Sequence, residues 1–256
     1  LSQDRAALVA RLEAGGFVAA DEEADELLAC AAGDGERLES LLARRFTGEP
    51  LAWITGSVTF CGVEVRVGHG VYVPRWQSEQ LALRAAERLS ERGTAVDLCT
   101  GTGAIAAVLR AHRPRARVVA TEVDERAVAC ARGNGIEVFD GDLLDPLPRA
   151  LEGQVDVIVG VVPYVPTPEL GLLQRDTFTF ETALSYDGGD DGTTHLRRVI
   201  AGAPRFLRPG GALLLELGAG QPERLQVDLI RHGFTDVSTL LDEDGDIRGI
   251  EATLDV

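Results

Sequence analysis

The run Asp97-Leu98-Cys99-Thr100-Gly101-Thr102-Gly103-Ala104-Ile105-Ala106 carries the densest chemical signal in the chain. Glycines spaced two apart let a backbone approach a bound molecule with no Cβ in the way. The run leaves an apolar stretch, Ala95-Val96-Asp97-Leu98, that reads as a strand, and it opens a helix from about Ala104 to Ala111. A turn between strand and helix is where open α/β sheets take their ligands. Glu122 closes the next strand-like stretch, Arg117 to Thr121. A carboxylate there can accept hydrogen bonds from both hydroxyls of a ribose, each worth about 1.5–3 kcal/mol. Gly101, Gly103 and Ala106 also fit the dinucleotide pattern G-x-G-x-x-A, so this motif alone does not separate NAD from S-adenosylmethionine.

Other candidate groups are weaker. His69 and His195 each stand alone in the sequence, and His195 would serve as a general base only toward a hydroxyl acceptor. Glu79, Glu181 and Asp187 read as loop carboxylates that border a site only if the fold gathers them. Arg75, after Pro74, reads as a tether of the hairpin to the domain, with contact to an acidic substrate as the alternative. The acids of Asp187 to Gly192 lack the alternating ligands of a calcium loop. Cys30, Cys61, Cys99 and Cys130 form no C-x-x-C and have no paired histidines, which suits free thiols in a reducing cytosol and offers no metal site.

The elements that must position these groups follow from periodicity. Leu8, Val9 and Leu12, then Leu27, Leu28, Leu38, Leu41 and Leu42, recur at helical spacing. Val58 to Phe60, Val63 to Val67 and Val71 to Val73 are β-rich runs parted by glycines, a hairpin signature. Ser78 to Leu89 reads as a helix with Leu81, Leu83, Ala86 and Leu89 on its apolar face. Strand and helix then alternate: a helix from about Glu125 to Gly133, strands at Ile136 to Phe139 and Val155 to Val159, a helix from Thr194 to Ala203, a buried strand at Ala212 to Leu217, a helix from Pro222 to Arg231, and strand-like runs near Val237 and Ile250. Such alternation predicts an α/β fold with a doubly wound sheet. The expected organisation is a helical domain over 1–50, a β-hairpin linker over 51–76 and a cofactor-binding domain over 77–256.

Composition narrows the partners. The chain has 256 residues, 45% apolar and 26% charged, with a net charge of −16. That surplus of acid argues against bulk nucleic-acid binding, where phosphates need Lys and Arg. No apolar run approaches the roughly 20 residues of a spanning helix, and Leu1 to Arg5 lacks the basic-then-apolar order of a signal peptide. These features predict a cytoplasmic protein with no membrane partner.

Beyond the glycine turn, Gly141-Asp142-Leu143 follows the third strand, and Phe206-Leu207-Arg208-Pro209-Gly210-Gly211-Ala212 leads into a buried one. With Gly48-Glu49-Pro50-Leu51, Phe60-Cys61-Gly62, Gly70 to Arg75, Ser78-Glu79, Asp187 to Gly192 and Asp244 to Arg248, they run in one order along four-fifths of the chain. In these motifs the sequence resembles the HemK-type protein-(glutamine-N5) methyltransferases, which methylate peptide release factors. The resemblance implies a class I methyltransferase domain, Rossmann-like, that uses S-adenosylmethionine. By it, Asp97 lies near the methionine amine, Asp142 and Leu143 receive the adenine, and Thr100, Gly101, Gly103 and Glu122 complete the cofactor site.

The resemblance breaks at the acceptor. Where the family carries Asn-Pro-Pro-Tyr, this chain reads Val161-Val162-Pro163-Tyr164, and Trp76-Gln77 replaces a Pro and an acid. An amide nitrogen is a poor nucleophile, and the Asn side chain accepts a hydrogen bond from it. Val161 accepts none, and losing one such bond costs about 2–4 kcal/mol, roughly 30- to 1000-fold in rate. Val161, Pro163 and Tyr164 are therefore expected to line a more apolar acceptor site. The expected activity is methyl transfer to N or O of a protein side chain or small metabolite, with release-factor glutamine less well suited. The alternatives are a lapsed enzyme that binds the cofactor for recognition and, more distantly, an NAD-dependent oxidoreductase.

Overall fold

A computed structural model describes residues 2–173 and 177–255. The chain forms two compact units, Leu1–Ser57 and Val58–Val256. In the first, α1 (Ser2–Ala14), α2 (Ala20–Ala31), α3 (Gly35–Arg45) and α4 (Leu51–Thr55) close around Leu8, Leu12, Leu27, Leu41, Leu42 and Ile54. Asp34 caps α3 by accepting from the Arg37 N–H. Arg45 forks onto Glu23 at 2.6 and 2.8 Å, inside the unit.

The second unit starts with a two-stranded sheet of β1 (Ser57–Phe60) and β2 (Val63–Arg66). Cys61 (φ 48°) and Gly62 (φ 73°) are both left-handed, the geometry of the tightest hairpin turns. Val71 to Val73, expected as a further strand, is irregular. The Val73 N–H donates to Glu181 Oε1 at 3.0 Å, so a side chain satisfies a backbone donor that a neighbouring strand would have taken. In α5 (Glu79–Arg88) Leu83 is exposed, and Ala82 and Ala85 are buried on the face it was expected to share.

β3 (Thr94–Leu98), α6 (Ala104–His112), β4 (Arg117–Glu122), α7 (Glu125–Gly133), β5 (Glu137–Asp140), β6 (Val155–Gly160), α8 (Thr177–Phe180), α9 (Thr194–Gly202), β7 (Leu207–Glu216), α10 (Gln221–Arg231), β8 (Phe234–Leu241) and β9 (Ile247–Leu254) complete the unit. The sheet order is β5-β4-β3-β6-β7-β9-β8. β3 runs parallel to β4 and β6, and β6 to β7. The sheet departs from pure alternation at one side, where β9 inserts antiparallel between β7 and β8. Helices on both faces bury β6 along its whole length, which is why its sequence is a continuous apolar run. Side chains still alternate between faces: Val96, Leu98, Ile158, Leu213 and Leu215 share one core cluster. Ala95, Val157, Val159 and Leu214 share the other. Strand order reverses between β3 and β6, which places a crevice at their carboxyl ends.

Candidate functional site

The glycine turn leaves β3 at that crevice. Asp97, 1% exposed, accepts through Oδ2 from Thr100 Oγ1 (2.5 Å) and the Ala106 N–H (3.1 Å). Its Oδ1 is buried and has no hydrogen-bond partner. Burial pushes this carboxyl up to about 7, against the pull of the Thr100 and Ala106 bonds and with a smaller push from Glu122. Glu122, at the end of β4, is held by three backbone donors. Gly101 N–H meets Oε2 at 2.9 Å, and the N–H groups of Val123 and Asp124 meet Oε1 at 2.8 and 3.0 Å. Oε2, with one donor against two, has the spare acceptor capacity.

Both carboxylates line one cavity of about 250 Å³, together with Thr100, Gly101, Asp142, Leu143, Val161 and Pro163. At Gly101 (φ 58°) a Cβ would meet nothing within 4 Å, so the absence of a side chain keeps the cavity open. Gly103 does not line it. Its φ of 85° opens α6, and a Cβ there would sit 2.8 Å from Ile136, so its smallness serves helix packing. Asp142 Oδ2 accepts from Arg198 at 2.8 Å. Cys99 also lines the cavity in a left-handed conformation (φ 52°), and burial raises its thiol far above the usual range, which keeps it a neutral thiol.

Tyr164 lies elsewhere. It faces a second cavity of about 620 Å³, and its hydroxyl donates to Glu216 Oε1 at 3.0 Å. Tyr72 and Arg75 line both cavities and form the wall they share. Glu181, 4% exposed, fixes that wall. It accepts from Arg75 at 2.6 Å, from the Val73 N–H at 3.0 Å and from the Tyr186 hydroxyl. The Arg75 guanidinium also lies over the Tyr72 ring at 5.1 Å. Glu181 is thus a structural anchor, as is Glu79, which accepts from the Cys61 N–H at 2.8 Å. Asp187 accepts from Thr167 and Gly189 and lines neither cavity. His195 lines the first cavity, with Nδ1 buried and unpartnered. Sequence reasoning noted Gln77 only as the replacement of an acid and missed Glu216. The only sequence signal for Glu216 was an acid closing the apolar run Ala212 to Leu215 at a strand's carboxyl end.

The residues present fit S-adenosylmethionine. Asp97 Oδ1 is an orphaned anion for an ammonium, Glu122 Oε2 an acceptor for a ribose hydroxyl, and Ile105, Val123 and Leu143 supply apolar wall. No group of His, Cys, Asp and Glu that could hold a metal occurs among the described residues. No described helix is long and apolar enough to cross a membrane.

Comparison with known proteins gives the family. Residues 78–163 match the family model described as "Methyltransferase small domain". A release factor glutamine methyltransferase of Geobacter sulfurreducens is 35% identical over 227 residues, 86% of this chain and 76% of the relative. Its counterpart in Mycolicibacterium smegmatis is 38% identical over 224 residues, 84% of this chain and 78% of the relative. Among solved structures, the E. cuniculi Mtq2–Trm112 complex, described as methylating the eRF1 translation termination factor, superposes with TM-score 0.56 at 23% identity. That match covers 73% of this chain and 99% of the other. A methyltransferase from Pyrococcus furiosus gives 0.53 at 19% identity, covering 91% and 98%. At such identities the structures show a shared fold, whereas the sequence relatives show kinship. The chain belongs to the HemK-type release factor glutamine methyltransferase family and is an S-adenosylmethionine-dependent methyltransferase.

Proposed function

We propose that this enzyme methylates a nitrogen on a protein side chain, of the release-factor glutamine kind named for its relatives. The observation that carries the reading is one cavity lined by Asp97 and Glu122 together with the apolar pair Val161 and Pro163. When bound, the cofactor supplies a sulfonium methyl open to in-line displacement. Asp97 Oδ1 takes the ammonium, Glu122 Oε2 a ribose hydroxyl, and Asp142 and Leu143 the adenine. Thr100 and Gly101 shape the turn beneath it, and Gly103 holds that turn to α6. Val161 and Pro163 exclude water at the point of transfer and hold the acceptor close, the two contributions such a displacement needs. The Val161 side chain accepts no hydrogen bond, so the acceptor's N–H groups are met by other atoms. Four free cysteines support a reducing, cytosolic setting.

The test pairs calorimetry with S-adenosylhomocysteine and methyl transfer from labelled cofactor to a peptide containing Gly-Gly-Gln. Binding together with labelled glutamine is the expected result. No binding at millimolar ligand overturns the cofactor site. A wild type that labels nothing, beside a Val161→Asn, Val162→Pro variant that labels glutamine, identifies a lapsed enzyme.

A further inference from the structure

The second cavity is lined by two side chains with hydrogen-bond acceptors that no described residue satisfies. Gln77 Oε1 and Glu216 Oε2 both belong to side chains lining it, and both are buried without a partner. Buried oxygens are ordinarily paired, so two orphans in one cavity point to donors brought by a ligand. Three nearby donors are already engaged. Arg75 is committed to Glu181 at 2.6 Å, Arg248 to Asp242 at 2.6 Å, and the Tyr164 hydroxyl to the other Glu216 oxygen. Glu216 is 5% exposed.

The position of the pair matters as much as its chemistry. Gly160 of β6 is the register partner of Leu215 of β7, so Val161 and Glu216 follow one another across the sheet at the same level. Val161 packs with the cluster that contains Leu214, two residues before Glu216 and therefore on the same face of the strand. Gln77 and Glu216 line the same cavity, which brings the two orphaned oxygens to one place. Tyr72 and Arg75 line both cavities, and Ser78, next to Gln77, lines the cofactor cavity, so the pair borders the cofactor site.

We infer that Gln77 and Glu216 receive the two N–H groups of a primary carboxamide and thereby select a nitrogen acceptor over an oxygen one. The inference rests on the protein-side-chain reading above. A carboxamide nitrogen carries two donors and matches two acceptors, whereas a hydroxyl carries one and leaves an oxygen unsatisfied. Holding both N–H groups orients the nitrogen toward the methyl group. In the transfer the nitrogen pair forms the new N–C bond, the electrons of the broken C–S bond remain on sulfur, and one nitrogen proton passes to Glu216 Oε2. Burial raises the proton affinity of that carboxyl, with the Ser78 and Tyr164 hydroxyls opposing.

The full chain is assayed with labelled cofactor on a Gly-Gly-Gln peptide and on the same peptide with Ser in place of Gln. Labelling of Gln and not of Ser is expected. Gln77→Leu and Glu216→Gln should each lower kcat at least about tenfold while S-adenosylhomocysteine affinity stays within about threefold of wild type. Adding Val161→Asn to Gln77→Leu should recover part of the loss, which a merely structural role would not allow. Variants with unchanged kcat/KM, or equal labelling of the Ser peptide, overturn the inference. So does a wild type that binds S-adenosylhomocysteine and labels neither peptide, an outcome that leaves the cofactor site standing. Failure to bind S-adenosylhomocysteine would instead overturn the underlying reading.

Discussion

The carboxyl ends of β3 and β4 are furnished differently from those of β6 and β7. At β3 and β4, Asp97 and Glu122 are fixed by Thr100 and by backbone N–H groups of the turns beside them. At β6 and β7, Val161 and Glu216 follow the register pair Gly160 and Leu215, and the carboxylate takes its hydrogen bond from the Tyr164 hydroxyl, with no local turn donating to it. The first pair is built by residues within 27 positions of one another, from Asp97 to Asp124. The second is assembled from segments far apart in the chain. Rigid local geometry suits a cofactor with fixed functional groups, and the long-range assembly suits a site whose acceptor chemistry is set by a few exchangeable side chains.

That contrast yields a graded series of tests. Glu122→Ala removes the acceptor of three backbone donors and one ribose contact, so S-adenosylhomocysteine affinity should fall at least about 100-fold, close to 3 kcal/mol. Calorimetry that finds it within about threefold of wild type would break the contrast at its stronger end. The pH dependence comes next. With the Asp97 carboxyl near 7, protonation competes with an ammonium, so affinity should fall about tenfold per pH unit below that point and level off above it. The ligand-free protein should respond in the opposite sense. Its folded-state value lies above the ordinary aspartate value, so the stability present below about pH 4 is lost as pH rises through about 7. Asp97→Asn should flatten both profiles.

Smaller effects sharpen the division. Gly103→Ala forces a Cβ into a left-handed residue and against Ile136, which should cost about 1–2 kcal/mol in urea denaturation. Affinity for S-adenosylhomocysteine should stay near wild type, because position 103 does not line the cavity. Tyr164→Phe deletes only the hydroxyl bond to Glu216 and should cost about 1 kcal/mol of stability, with cofactor affinity unchanged. A clear loss of affinity there would mean that the two cavities act as one site.

Much of the sheet is legible in sequence because buried parallel strands leave apolar runs, as at Val155 to Val159, and the glycine turn marks its own place between strand and helix. Asp97, Thr100, Gly101, Glu122, Asp142 and Leu143 share a cavity because each sits at or just past a strand end. Gly103 escaped because two glycines in one motif look alike, although only one faces open space. Val71 to Val73 misled because β-rich composition does not reveal that a buried glutamate from residue 181 takes the backbone donor. Leu83 misled because three alanines and a leucine suffice for the buried face of α5. The antiparallel insertion of β9 and the meeting of Gln77 with Glu216 depend on contacts that no local pattern encodes.

Because Tyr72 and Arg75 belong to both compartments, whichever molecule displaces them on arrival alters the fit of the other. Thermodynamic reciprocity then obliges the spent nucleoside to feel the methylated product as strongly as the product feels it. Glu181, in the chain between β6 and α9, anchors this partition through Arg75 and the Val73 N–H.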